Sequence, residues 1–571
     1  MSVSPSNESK RPTPLWRRAS LVLAAALATL PLPAWAQYDA PPGPAAYALE
    51  GVTVVAADGS VRDGMTVVVR QGLIETLAAD AEVPLDARRL EGDGLYLYPG
   101  FVDGHGDAMV AWPEARDVED PDDVTSWNPP RSRQGFRPHR RVAEFLDVDA
   151  DDLEELRSAG IVAAHILPEG GMAPGRSALL VLRDARTPWE VVERASTGLV
   201  LSFQAAGGVY PSQLFGVIAF LRQAFLDAER WERMRSAAEG GEGGFVPPGW
   251  DPDYEALRTA ARGEEPVYFE ADSDEDIRRA LDLADQFGFR IALVGGAEAW
   301  KLADELADRG VPVFVSLDFP VLSDWDPEAD TIPADLSPAA AREKEEVEAI
   351  WSNAARLRAA GVDVALTSGG GDADLLEGMR TVVEYGLPAE EAVRALTATP
   401  ATLLGVPGIT RVEAGRPATF VVTTGPLVDD AADVRYTFVE GHLTEVDVGG
   451  GGSSGEAPAG NLSGAWSGTI SAGGQEMDLS LTLTQTEDGS LQGQATAAGQ
   501  APSPVSGTIS GTSVTLRIEA EDLPEPIVLD GTLSEDGDSL SGSGSTPFGE
   551  MQFRVERSGG DGWLRLLGGV R

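Results

Sequence analysis

The chain has 571 residues, with 91 acidic and 44 basic side chains and a formal net charge of -47 at pH 7. A field of that sign repels nucleic acids and anionic membranes, and we expect no nucleic-acid partner. The absence of cysteine excludes disulfide bonds and thiolate metal sites. The length is sufficient for one large single-core domain with one or two smaller ones. Two explanations of the acidity stay open: a well-solvated surface, and adaptation to high salt.

The first 36 residues have the features of a secretory signal peptide. Two arginines precede an apolar run over residues 21–32, and the AWA of residues 34–36 fits a small-x-small cleavage site. No later stretch has the ~20 uninterrupted apolar residues of a membrane span. We therefore expect residues 1–36 to be removed and the mature protein to be exported, periplasmic or extracellular, without a membrane span.

Residues 45–97 alternate short apolar runs with turn residues. The runs lie at residues 52–55, 66–69 and 73–77, and Asp58-Gly59 and Gln71-Gly72 separate them. This pattern is typical of strands and hairpins.

Strand and helix signals alternate through the next three hundred residues. The most distinct helix start pairs Ser273 with Asp276 as a capping box before an apolar face. Such alternation favours a parallel β/α architecture. The predicted strands are residues 161–167, 267–270, 290–294, 311–317 and 362–367, and the predicted helices are residues 151–157, 273–284, 297–307, 375–385 and 389–397.

A Gly/Ser-rich linker over residues 448–457 precedes a different pattern. In residues 458–557 apolar and polar side chains alternate, Asp488-Gly489 supplies a hairpin turn, and an apolar-x-Gly triplet recurs, as at Leu491/Gly493. We predict an antiparallel β-domain here, either a sandwich or a lipocalin-like barrel, with a tail over residues 558–571.

The most specific motif is at residues 99–107, which read PGFVDGHGD. It resembles the first-strand signature of the amidohydrolase superfamily, Pro-Gly-Phe-(Ile/Val)-Asp-x-His-x-His. Residues 399–405 and 408–422 are similar to the family's closing element and to its C-terminal β-element. The resemblance implies an α/β fold, with a TIM-like (β/α)8 amidohydrolase barrel over residues 98–404 and a composite β-sandwich from residues 45–97 and 405–447.

Three further motifs resemble a subgroup, the secreted amidohydrolases related to imidazolonepropionase. They lie at residues 136–140, 171–178 and 210–216. By this resemblance Arg176 is a pocket residue or a structural one.

In the family both histidines of the signature bind a catalytic divalent metal at the barrel mouth, and here the second one is Asp107. Side chains two apart on a strand point to the same side, so His105 and Asp107 can converge on one ion. The family's fifth-strand histidine corresponds to Glu270, which completes an oxygen-rich set for one divalent ion: zinc, manganese or calcium. The alternative is that the protein has no cofactor.

Other family ligands have no counterpart in this chain. The positions of the sixth-strand histidine and of the eighth-strand aspartate, the general base, fall in residues 294–296 and 368–371, which are rich in glycine. Asp318, after the seventh strand, is a further pocket candidate. His165 ends a strand and either faces the pocket or is a satisfied core residue.

The resemblance implies hydrolysis of a carbon–nitrogen bond, in an amide or a cyclic amide. The changed residues leave two alternatives open: an exported hydrolase with an eroded metal site, and a non-catalytic pseudoenzyme that acts as a binding or partner subunit of an intact amidohydrolase. The expected partners are a small-molecule or peptide-like ligand, and either a paralogous amidohydrolase or a second copy of this chain.

Overall fold

The computed structural model describes residues 46–112, 129–185, 187–205, 209–240, 246–320, 338–371, 373–429, 431–446, 461–472, 475–486, 490–497, 503–510, 512–518, 527–534, 537, 539–546 and 549–557. The predicted signal peptide (residues 1–36), linker (448–457) and tail (558–571) lie outside the described residues.

Strands and helices are numbered here in chain order. The strands are β1 (Ala46–Val55), β2 (Val61–Arg70), β3 (Leu73–Ala78), β4 (Ala87–Glu91), β5 (Tyr96–Pro99), β6 (Phe101–Gly106), β7 (Ile161–Ile166), β8 (Gly175–Val181), β9 (Val192–Ser202), β10 (Val267–Ala271), β11 (Ile291–Gly295), β12 (Val313–Ser316), β13 (Val364–Thr367), β14 (Phe420–Thr423), β15 (Val434–Val439), β16 (His442–Glu445), β17 (Gly464–Ala472), β18 (Gln475–Gln485), β19 (Ser490–Ala497), β20 (Ser503–Ser510), β21 (Ser513–Ile518), β22 (Ile527–Leu533), β23 (Ser539–Thr546) and β24 (Gly549–Arg557). The α-helices are α1 (Ala150–Ser158), α2 (Leu214–Glu239), α3 (Pro252–Ala261), α4 (Asp274–Phe287), α5 (Ala303–Arg309), α6 (Pro338–Trp351), α7 (Asn353–Ala360), α8 (Leu375–Glu384), α9 (Ala389–Leu396) and α10 (Ala398–Leu403).

One eight-stranded sheet combines strands from before and after the α/β region. Its order is β16-β15-β14-β5-β1-β2-β3, and β4 pairs with β1. The two parts join where β14 runs antiparallel to β5, with Phe420 opposite Pro99. Buried side chains on one face, including Val54, Leu97 and Phe438, form the core of this sheet.

The central sheet has the order β13-β12-β11-β10-β9-β8-β7-β6, and its helices lie between successive strands in the sequence. Its first and last strands come together where the backbone N–H of Gly370 donates to the carbonyl oxygen of His105 at 2.8 Å. Inward side chains such as Val102 and Phe314 fill the barrel. The predicted helix start is confirmed with Ser273 as its N-cap, since the Ser273 hydroxyl accepts from the backbone N–H of Asp276 at 3.2 Å at the start of α4.

The predicted fold class is confirmed, with one difference in the central barrel. Strand β8 runs antiparallel to both β7 and β9. No α-helix separates these three strands in the sequence. A parallel neighbour requires a long crossover, whereas an antiparallel neighbour can be reached by a short connection.

Strands β17 to β24 form a closed barrel in which each strand is antiparallel to the next. Leu481 and Leu483 are buried, whereas Thr482 between them is exposed, as the alternation predicts. A Cβ atom at Gly493 would lie 1.9 Å from a carbonyl oxygen of the neighbouring strand. Close strand contact at the glycines therefore explains the recurring apolar-x-Gly triplet, and a barrel, rather than a sandwich, is the observed form.

Within the described residues, no helix is both long and apolar enough to cross a membrane.

Candidate active site

Side chains that could carry chemistry collect at the carboxyl end of the central barrel. His105 and Glu270 lie near the ends of β6 and β10. Glu169, Asp272 and Asp318 follow β7, β10 and β12 and are exposed. Because these strands are parallel, their carboxyl ends meet at one mouth, which is where (β/α)8 barrels place their active sites.

His105 is held at this mouth by its backbone. Its N–H donates to Asp103 Oδ1 at 3.1 Å, and its carbonyl oxygen accepts from Gly370 N–H. Its Nδ1 is buried and has no hydrogen-bond partner within the described residues. Burial lowers the pKa of the imidazole, and the charges of Asp103, Asp107 and Asp272 oppose this shift.

Asp103 connects the first and last strands of the barrel. It is 3% exposed, and its two carboxylate oxygens accept from the backbone N–H of Ser368 at 3.0 Å and from the Ser368 hydroxyl at 2.7 Å. Ser368 occupies the segment where the resemblance places a catalytic aspartate. The pairing was not predicted, although the carboxylate within the PGFVDGHGD motif was a signal for it.

Glu270 is half-buried among other carboxylates. Burial raises its pKa to about 7, and the charges of Glu169 and Asp272 act in the same direction. Burial also raises the pKa of Asp272, although part of this side chain reaches solvent. The sequence predictions do not include Glu169 and Asp272, whose positions directly after strands were the available signal.

Glycine loops close over two of these side chains. A Cβ atom at Gly295, at the end of β11, would lie 2.4 Å from Asp272 Oδ1. One at Gly370, after β13, would lie 2.9 Å from His105 Nε2, and both glycines have positive φ angles. The segments that lack the family's ligands therefore also lack room for a side chain in this arrangement.

The predicted ligand set His105, Asp107 and Glu270 is not assembled. Among the residues that the structure describes, no three histidine, aspartate or glutamate side chains are grouped so that they could hold a metal ion. Strand β6 ends at Gly106, so the alternation that was to align Asp107 with His105 does not reach Asp107, and its side chain is exposed. A divalent metal does not fit the residues as they stand, and binding by this set stays a prediction.

His165 lies in the barrel core, fully buried. Its Nδ1 is 2.9 Å from the carbonyl oxygen of Gly104 and so carries the proton that it donates. Its Nε2 accepts from the Thr197 hydroxyl at 2.8 Å, and the Thr197 oxygen lies 2.6 Å from the Ser177 hydroxyl. Burial lowers the pKa of His165 to about 3, so the ring is neutral.

The other two predicted pocket residues lie apart from each other. Asp318 is at the mouth, where its Cβ lies 3.5 Å from a Cβ placed on Gly369. Arg176 pairs with Glu265 at 2.8 Å, and Glu265 precedes the first residue of β10. Arg176 therefore lies toward the amino end of that strand, opposite the end that carries Glu270.

Comparisons with known proteins agree with this architecture. Residues 323–448 match the model of the amidohydrolase family. No curated protein matches the sequence significantly. The crystal structure of an amidohydrolase from Thermotoga maritima shares the fold, with a TM-score of 0.55 and 22% identity over 70% of this chain and 99% of that one.

Two further solved structures are more distant. A prolidase complexed with N-methylphosphonate-L-proline has a TM-score of 0.42 and 16% identity, over 70% of this chain and 99% of its own. An adenosine deaminase from Xanthomonas campestris with bound zinc has a TM-score of 0.40 and 16% identity, over 72% and 96%. The chain is thus similar to the amidohydrolase family over residues 323–448 and shares the fold of an amidohydrolase.

Proposed function

We propose that this chain is an exported hydrolase of the amidohydrolase type that cleaves a carbon–nitrogen bond at the carboxyl end of its central barrel. The position of Glu270 carries the proposal. Glu270 lies two residues after Tyr268, whose ring packs against His165 inside the barrel. By strand alternation the Glu270 carboxylate faces the inside of the mouth.

In the proposed reaction Glu270 is the general base. Its carboxylate takes a proton from a water molecule, the oxygen of that water bonds to the amide carbonyl carbon, and the proton passes to the departing nitrogen as the carbon–nitrogen bond breaks. His105 Nδ1, buried without a partner in the described part of the chain, would bond a polar atom of the ligand. The substrate is an amide, a cyclic amide or a peptide-like molecule.

An activity screen tests this proposal. Mature protein, residues 37–571, is incubated with amide, cyclic amide and dipeptide libraries, with and without added zinc, manganese and calcium, and release of amine is measured. Glu270→Gln should lower the rate by about 100-fold or more, because loss of general-base catalysis has effects of that size. Glu50→Gln, in strand β1 of the other sheet, where Glu50 pairs with Arg89, is the matched control and should retain activity.

A second candidate function, binding without turnover, is favoured by the glycine loops over Asp272 and His105. A pseudoenzyme would bind an amide ligand or an intact amidohydrolase without cleaving it. Absence of amine release from every library, under every metal condition, would overturn the hydrolase proposal. Elemental analysis of the protein and of Asp107→Ala adds an independent measurement. Metal that is bound to the wild-type protein and absent from the Asp107→Ala variant would support the predicted ligand set.

A further inference from the structure

A second concave site lies at the amino end of the central barrel, opposite the mouth. It has a volume of about 720 Å³, a size typical of small-molecule sites. Its walls are the last turns of α4 and the segments that lead into β11 and β12. The lining combines charged side chains, those of Asp285, Arg290 and Arg309, with apolar ones such as Leu281, Val311, Pro312, Phe314 and Leu403.

The buried phenol of Tyr268 lines this cleft. Tyr268 is 2% exposed, and its ring packs against His165 and Phe314. Among the described residues its hydroxyl group has no hydrogen-bond partner. A ligand in the cleft that accepts the hydrogen of this hydroxyl group would gain binding free energy.

Arg290 supplies an uncompensated positive charge in the same cleft. Its Nε donates to the carbonyl oxygen of Gly263 at 3.1 Å, and no carboxylate in the described part of the chain forms an ion pair with it. Arg309, which also lines the cleft, instead pairs with Asp285 and Glu305. In a chain with a net charge of -47, a guanidinium group left unpaired beside a cleft is available to an anion.

The charge and the phenol lie near each other. Burial raises the pKa of Tyr268, and the positive charges of Arg194 and Arg290 oppose that shift. Arg194 donates to the carbonyl oxygen of Leu404 at 3.2 Å, beside the Leu403 side chain that lines the cleft. A single anionic group could therefore accept from the phenol while it faces a guanidinium group.

We propose that this cleft binds a small organic carboxylate with an apolar body. A guanidinium group and a phenol both form strong, charge-assisted hydrogen bonds with a carboxylate. The apolar lining would cover the rest of the molecule. This site is independent of the hydrolase proposal, because it lies at the other end of the barrel and uses none of the mouth residues.

Calorimetric titration of the mature protein with 3-phenylpropanoate tests the proposal. Tyr268→Phe and Arg290→Gln should each weaken binding about 10-fold, the size expected for the loss of one hydrogen bond to a charged group. The neutral analogue 3-phenylpropan-1-ol should also bind about 10-fold more weakly, because it lacks the carboxylate. Arg278→Gln is the matched control. Arg278 also lies on α4, whose last turns form one wall of the cleft, but it pairs with Asp274.

Three results would overturn the proposal. The first is a dissociation constant for 3-phenylpropanoate weaker than about 1 mM, which corresponds to a binding free energy of about -4 kcal/mol. The second is equal affinity in the wild type and in both cleft variants. The third is binding of inorganic phosphate without binding of 3-phenylpropanoate, which would assign the cleft to another class of anion.

Discussion

Eight strands enclose a filled interior in both barrels of this chain, but the side chains that fill the two interiors differ in kind. The inward positions of the C-terminal barrel carry apolar side chains and glycine. The central barrel also buries His165, Thr197 and Ser177, which are joined by hydrogen bonds. Burial of apolar area stabilises the first interior, whereas the second also depends on matched donors and acceptors.

The largest expected effect is in the apolar interior. Trp466 is 1% exposed, its Nε1 donates to the carbonyl oxygen of Leu462 at 2.9 Å, and the guanidinium carbon of Arg557 lies 4.4 Å from its ring centroid. Trp466→Ala should lower the local unfolding free energy of the C-terminal barrel by about 3–5 kcal/mol, through lost burial and the cavity left behind. Hydrogen exchange of the full chain, read by mass spectrometry, measures this in peptides from residues 461–557.

Trp466→Phe is the control for this substitution and should cost less, since much of the ring volume remains. Peptides from residues 161–205 report on the central barrel and should keep their protection in both variants. Equal loss of protection in the two barrels would contradict the comparison, because it would make them one cooperative unit.

The polar interior should make the central barrel sensitive to acid. A histidine in the unfolded chain titrates near 6.5, whereas burial lowers the pKa of His165 in the folded chain to about 3. Between these pH values the unfolded state binds one more proton, so stability is lost as the pH falls below 6.5. From pH 7 to pH 5 the contribution of His165 to the unfolding free energy should fall by about 2 kcal/mol.

Urea denaturation of the wild type and of His165→Gln at both pH values measures this contribution. Glutamine can donate to Gly104 and accept from Thr197, as the ring does, but it does not titrate. The many carboxylates titrate alike in both proteins and cancel in the difference. The same pH dependence in both proteins would show that His165 does not carry the acid sensitivity.

Elements with a regular pattern were predicted well. The strand predicted at residues 267–270 is β10, and the helix predicted from the Ser273 capping box is α4. The alternation in residues 458–557 predicted the C-terminal barrel because one face of each strand meets an apolar interior. In these segments local pattern and tertiary environment agree, so the sequence alone was sufficient.

Strands β8 and β9 and helix α2 are absent from the predictions. Both faces of β8 are largely buried, so its residues show no alternation. Helix α2 did have a signal, since its buried residues Val217, Leu221 and Phe225 recur every four positions.

The candidate site was predicted in part. The mouth residues His105 and Glu270 followed from the motif and from the strand ends. The motif indicated that Asp103 matters, but its partner Ser368, 265 positions away, was not predicted, because nothing local indicates which strands close a barrel. Asp107 was placed by alternation, which fails there because β6 ends one residue earlier.

A reciprocal exchange of one hydroxyl group has the smallest expected effect and tests the comparison most directly. Val514→Thr places a hydroxyl group in the apolar interior of the C-terminal barrel. Thr197→Val removes the hydroxyl group that donates to His165 Nε2. The two side chains have nearly the same shape, so each change should cost about 1–2 kcal/mol, in its own barrel, through a polar group left without a partner.

Hydrogen exchange of both full-length variants measures the two costs. Thr482→Val, on the exposed face of β18, is the control, and its unfolding free energy should change by less than about 0.5 kcal/mol. If Val514→Thr lowered the unfolding free energy no more than this control, the C-terminal interior would have to supply a hydrogen-bond partner for the new hydroxyl group. The two interiors would then differ less than proposed in their tolerance of polar groups. If Thr197→Val were equally mild, His165 would not depend on its Nε2 partner. Losses in both barrels, each confined to the barrel that carries the change, would instead mean that the position of one oxygen atom distinguishes the two interiors.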